Sequence, residues 1–231
     1  GGITMMEDEA VFSVMAKCFA PIDEREWNQM TKPALWGEFL DASRRALQDV
    51  TSLGTQSAVA KRLGRRCPLQ EFLSAGEVDA LYAPPTYAEK CAFAARHFVG
   101  GLPDSVVPVE SLYTRWSFNP AVSTPFSQTK GLYLGDSALY MRDLIGRLGM
   151  EVPAGFAAYP DHLALECDLV AVMLRSGMQE QAREFLTERF AWLTALRMQL
   201  LHIEEDARFY IGLIDVLVGI CAQQGLAEKS A

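Results

Sequence analysis

The chain has 231 residues, half of them hydrophobic and 22% charged, which supplies apolar material for one large domain or two small ones and excludes bulk disorder. Its formal net charge of −8 argues against a nucleic-acid partner, because a phosphate backbone needs clustered Lys and Arg. The only dense basic run, Lys61-Arg62-Leu63-Gly64-Arg65-Arg66, reads as a solvated helix end.

In chain order the periodicity is helical almost throughout. Val11, Val14, Met15 and Cys18 share one helix face, and Pro21 stops that helix. Asp23-x-x-Glu26 is a capping pair for a short helix. Pro33 opens a stripe of Trp36, Phe39, Leu40, Ser43 and Leu47, and shorter helices are predicted at Gln56 to Leu63 and Pro68 to Ala75. Thr86-x-x-Glu89 caps a helix bearing Tyr87, Cys91, Ala94, Ala95 and Phe98, stopped by Gly100-Gly101. Asp136 is the expected cap of the next helix, with Met141, Leu144, Ile145 and Leu148 inward. Pro160 is expected in the first turn of a helix carrying Leu165, Leu169, Val172 and Met173. A long helical segment follows from Ala182 to Leu200, and a last helix carries Phe209, Leu213, Val216, Leu217 and Ile220.

The prediction is an all-α fold of about nine or more helices. Strand signals are short and broken by proline, as at Val106 to Val109, and no repeat of solenoid length is present. The exception to helical periodicity runs from Gly100 to Gly135, with Pro103, Pro108, Pro120 and Pro125 and the aromatics Tyr113, Trp116, Phe118 and Phe126. So long a proline-rich loop is expected to be either functional or disordered, and its aromatics to pack on the body of the protein in preference to a ligand. The chain reads as a single domain over 1–231, with subdomains at about 1–100 and 135–231 joined by loop 100–135 as the alternative.

Five scattered cysteines (Cys18, Cys67, Cys91, Cys167 and Cys221) form no C-x-x-C pair and indicate a reducing compartment. No secretory leader pattern is present, and the longest apolar stretch, Phe209 to Ala222, is too short for a bilayer and contains Asp215. The expectation is a cytoplasmic protein without membrane insertion. His97, His162 and His202 lie in no triad, Glu-x-x-His or H-E-x-x-H pattern, and nucleotide-binding glycine loops are missing. No catalytic role, metal or cofactor is expected. One polar cluster stands out: Tyr159-Pro160-Asp161-His162 before an apolar helix. It reads either as a helix start or as a polar pair at the rim of an apolar groove. In the groove reading Asp161 accepts from a basic peptide and His162 changes charge near neutral pH.

Tyr159-Pro160-Asp161-His162-Leu163-Ala164-Leu165-Glu166 resembles the Pro-Asp-His signature of the TorD/DmsD/NarJ redox-enzyme maturation chaperones. Four further elements occur in the family's order. Arg96-His97-Phe98-Val99-Gly100 is similar to its Leu-Phe-x-Gly segment, with His97 in place of leucine. Val107-Pro108-Val109-Glu110-Ser111-Leu112-Tyr113 resembles its proline-rich stretch, with one proline where two are common. Gly135-Asp136-Ser137-Ala138-Leu139 resembles its Gly-Asp-Ser helix start, and Arg208-Phe209-Tyr210 its last long helix. The resemblance spans about Thr86 to Gly219 and sits closest to the TorD/DmsD branch.

It implies a TorD-like helical chaperone that binds the twin-arginine leader of a molybdopterin oxidoreductase. The catalytic subunit of that enzyme is then the client, held back until its cofactor is inserted. The groove residues it implies are His97, Phe98, Pro108, Ser111, Tyr113, Asp136, Tyr159, Pro160, Asp161, His162 and Glu166. Asp161 or Glu166 would pair with arginine if exposed there. The alternatives are an assembly chaperone for a folded or membrane-bound redox subunit and, without a phosphate-cradling loop to support it, a GTP-binding protein. A monomer and a domain-swapped dimer both suit a helical chain with long connections.

Overall fold

A computed structural model describes residues 2–48, 69, 73–119 and 127–230. Within them lie ten α-helices: α1 (Gly2–Phe19), α2 (Glu24–Met30), α3 (Pro33–Gln48), α4 (Ala75–Tyr82), α5 (Tyr87–His97), α6 (Asp136–Arg147), α7 (Leu163–Arg175), α8 (Gln179–Arg189), α9 (Leu193–His202) and α10 (Arg208–Ser230). Two 3-10 turns, Glu110–Leu112 and Ala154–Phe156, accompany them. The all-α expectation holds: among the described residues the only β pairing is one antiparallel bridge, Val109 to His162. None of their helices is long and apolar enough to cross a membrane.

Local chemistry sets most of the boundaries. Asp23 caps α2, accepting from Glu26 N at 2.7 Å, and Thr86 with Glu89 forms a reciprocal capping box on α5. The helix predicted over Gln56 to Leu63 lies outside the described residues. Of the one predicted over Pro68 to Ala75, residues 68 and 70–72 also lie outside them; Ser74 accepts from Glu77 N and α4 starts at Ala75. The segment from Ala182 to Leu200 is two helices. It breaks at Phe190 to Trp192, where both aromatic side chains turn into the core. Neither Gly nor Pro announces that break.

The interior packs α1 against α7 and sets α10 against α3, α4, α8 and α9. One buried hydrophobic cluster draws on helices from both sides of the loop. Its aromatic end interlocks Phe19, Phe93, Phe98 and Tyr210, with Tyr210 stacked on Phe93 at 4.4 Å and Phe209 stacked on Trp36 at 5.9 Å. The indoles of Trp27 and Trp36 donate to the Pro85 and Leu81 carbonyls, so their polar edges are buried with partners.

The described part of the proline-rich stretch packs on this body. Tyr113 stacks on Trp192 at 5.6 Å and donates to the Val107 carbonyl, and the Trp116 indole donates to the Tyr133 carbonyl. Phe118 departs from the packing expectation, being 61% exposed, while Pro120, Pro125 and Phe126 lie outside the described residues. The stretch returns to the body at Gly135, where an added Cβ would stand 2.6 Å from the Trp116 carbonyl oxygen. Backbone gives little, so Gly135→Ala is expected to lower stability by about 2 kcal/mol. Urea denaturation checks this, and an unchanged midpoint would show that the stretch is not clamped there.

Candidate functional site

The Pro-Asp-His turn is joined to the proline-rich stretch by backbone and side chain together. Leu163 N donates to the Pro108 carbonyl at 2.8 Å, and Glu110 N to the Asp161 carbonyl at 3.1 Å. Between these bonds Asp161 Oδ2 accepts from both Ser111 N, at 2.7 Å, and Ser111 Oγ, at 2.5 Å. Ser111 Oγ in turn accepts from Gly135 N at 3.2 Å. One carboxylate thus ties the turn before α7 to the loop and, through it, to the start of α6.

Two expectations are corrected here. Asp161 is 0% exposed and not at a groove rim. Burial pushes its carboxyl above the ordinary range, opposed by the Ser111 bonds. In this structure the carboxylate holds the loop through Ser111. His162 does not change charge near neutral pH: burial depresses its pKa to about 4. The same ring caps α7, its Nδ1 accepting from Ala164 N at 3.0 Å, which an imidazolium could not do. Pro160 accordingly precedes α7 and is not in its first turn.

Asp136 is also reassigned. Gly135 is the cap of α6, while the Asp136 carboxylate turns back to accept from Phe118 N at 2.7 Å and Ser117 Oγ at 3.2 Å. Glu166 is wholly buried on α7, taking the Trp192 indole N–H at 3.1 Å. Its carboxyl faces that of Glu110, and burial, followed by that neighbour, raises its pKa well above the usual carboxylate range. Glu166 therefore belongs to the interior and not to a groove wall.

Pro108, Ser111, Tyr113, Asp136, Tyr159, Pro160, Asp161, His162 and Glu166 gather around this junction. His97 and Phe98 do not. Phe98 joins the aromatic cluster of α1, α5 and α10. His97 is buried, with Nδ1 2.9 Å from the Asp104 carbonyl and Nε2 2.5 Å from Glu205 Oε2. The two groups connect through Val106 N, which donates to the His97 carbonyl.

Over the junction lies a surface that sequence reasoning passed by. Tyr133 stands 6.2 Å from Tyr159, which meets Phe156 at 6.0 Å and the His162 ring at 5.9 Å. Tyr133, Leu134, Leu139 and Tyr140 are exposed, with Leu134 held at φ 59°. A bulky residue in the left-handed region is uncommon, and here it turns its side chain to solvent beside Tyr133. The cue in the sequence was aromatic density on both flanks of α6, in residues far apart along the chain. No group of three or more metal-ligating side chains occurs among the described residues.

Residues 92–202 match the family model described as nitrate reductase delta subunit. The match covers just under half of the chain and supports its assignment to the TorD/NarJ family of redox-enzyme maturation chaperones. No curated protein matches it. The matched segment contains the whole junction, with Arg189 and Trp192, and leaves α1 to α4 and α10 outside.

Two outcomes follow from the buried polar groups. The stability that neutral His162 contributes is present above pH 6.5, its unfolded pKa, and is lost as pH falls toward about 4. Against wild type, His162→Asn should remove an acid-dependent loss of at most about 3 kcal/mol. The difference between the two curves isolates it from Asp161, Glu110 and Glu166, whose raised pKa values act in the opposite sense; parallel curves would refute it. Asp161→Ala should lower stability by about 2 kcal/mol, because Ser111 N–H and Oγ lose their acceptor, while Asp161→Asn loses less. Chemical denaturation of the two variants distinguishes them.

Proposed function

We propose that this chaperone binds the N-terminal twin-arginine leader of a molybdopterin oxidoreductase in the cytoplasm, without catalysis, and withholds the client from export until its cofactor is inserted. The observation that carries the reading is the apolar surface of the exposed Tyr133 and Leu134 beside the half-buried Tyr159, mounted on the Pro-Asp-His junction. Large apolar side chains grouped on a soluble protein mark a partner surface, and an apolar leader segment laid across it would bury them. In this reading Asp161, Ser111, Pro108 and Asp136 act beneath the surface by holding the loop, Tyr159 is in contact, and His97 and Phe98 brace the far end of the loop.

A synthetic leader from a molybdoenzyme encoded beside this gene tests it by isothermal titration calorimetry, against the same peptide with both arginines replaced by alanine. The expected result is micromolar affinity or tighter, roughly −8 kcal/mol, lost or much weakened with the control. Tyr159→Ala should weaken the leader about tenfold, near 1.4 kcal/mol, with the helical circular dichroism unchanged. Absence of binding to the leader overturns the reading.

A second reading is favoured by the description of the matched family, nitrate reductase delta subunit. There the partner is a folded redox-enzyme subunit. Co-purification with a client lacking its leader would select that reading.

A further inference from the structure

Glu110 is an acidic residue buried in the 3-10 turn of the loop, and its partner comes from another element. Arg189, the last residue of α8, places Nη2 3.2 Å from Glu110 Oε2 and its guanidinium 4.3 Å over the ring of Tyr140 on α6. Behind Glu110 stand Glu166 and Asp161, both fully buried. Asp161 Oδ1 takes no hydrogen bond from any donor in the described structure, and the Glu166 carboxyl faces that of Glu110. The recess therefore has an acidic floor, one carboxylate wall and one aromatic wall. A planar cation fits all three: it is paired by carboxylate and stacked by the ring.

Arg189 fills that recess imperfectly. A charge-assisted N–H to carboxylate bond is usually about 2.7–2.9 Å long, and guanidinium favours two parallel bonds to one carboxylate. Arg189 makes one longer bond to Glu110, and its buried Nε has no acceptor. Its side chain is 20% exposed and Tyr140 lies at the surface, so the recess opens to solvent. Because Arg189 ends α8, its side chain can leave without breaking a helical turn.

We propose that the recess between Glu110 and Tyr140 is a guanidinium-binding site, occupied by Arg189 in the free protein and yielded to an arginine of the bound peptide. The recess itself stands on its own geometry; that its incoming arginine belongs to a twin-arginine leader rests on the function proposed above. Arg189 is then an internal competitor. While it competes for the site, apparent affinity for the peptide is reduced in proportion to the fraction of time the site is free.

The test has two arms. In the first, Arg189→Ala and Arg189→Gln are melted with millimolar N-ethylguanidinium or, as a control cation, ethylammonium. N-ethylguanidinium is expected to raise the Tm of Arg189→Ala saturably by about 3 °C. Ethylammonium should not, and the rise should vanish in Arg189→Ala/Glu110→Gln. Equal effects of the two cations, or none, overturn the guanidinium site. If Arg189→Ala does not fold, Arg189→Gln carries the same comparison.

In the second arm, the leader and its Arg-to-Ala control are titrated into wild type and Arg189→Gln. Removing the competitor should tighten the leader about tenfold and leave the control unchanged. Unchanged or weaker leader binding overturns displacement by the peptide. Cation rescue in a protein whose wild type binds no leader would retain the recess and reject the leader as its partner.

Discussion

The Asp161 carboxylate and the two donors of Ser111 organise the loop-bearing half of this molecule. A carboxylate with no exposure is unfavourable unless donors replace the water it has lost. Ser111 supplies both its N–H and its hydroxyl to one oxygen, and the hydroxyl passes the constraint on by accepting from Gly135 N. Three stretches that are remote in sequence are thereby held at one point: the turn before α7, the 3-10 turn of the loop, and the start of α6. Gly135 is needed there because the Trp116 carbonyl comes too close for a side chain.

The interior has two regimes with different physics. On the side of α1, α3, α5 and α10 it is aromatic and aliphatic, and area removed from water stabilises it without demanding particular directions. Beneath the loop it is polar: Glu110, Asp161 and Glu166 lie close together with Arg189 and the Trp192 indole. Burial raises the pKa of all three carboxyls, most strongly at Glu166. Facing Glu110 and Glu166 share a proton more readily than they hold two charges. This network is directional, so it fixes the position of the loop more sharply than apolar packing does, and the aromatic surface lies above it.

Several features of the chain were legible without coordinates. The helical period of Val11 to Cys18 and the capping pairs at Asp23 and Thr86 are local, and they appear in the structure as read. The Pro-Asp-His element and the loop were legible as a place of interest. The roles of Asp161 and His162 were not, because a carboxylate in sequence looks the same whether it meets solvent or Ser111 fifty residues away. Glu110, Arg189 and Tyr140 gave no signal, since they belong to three elements and meet only after folding. The break at Phe190 was hidden too. Nothing in the local sequence interrupts the helix, and what turns it is burial of Phe190 and Trp192 with an indole bond to Glu166.

What the sequence by itself determined is the helical class, most of the helix starts, and the family pattern running from the loop to the Pro-Asp-His turn. These follow from interactions within a few residues, where period and capping act. The tertiary structure alone decided which polar residues are buried anchors and which apolar ones face water. It turned Asp161 and Glu166 inward, made His162 a neutral cap, and set Tyr133 beside Tyr159 at the surface. Burial is a property of the assembled chain, and with it comes the desolvation that separates an anchoring carboxylate from one able to meet a ligand.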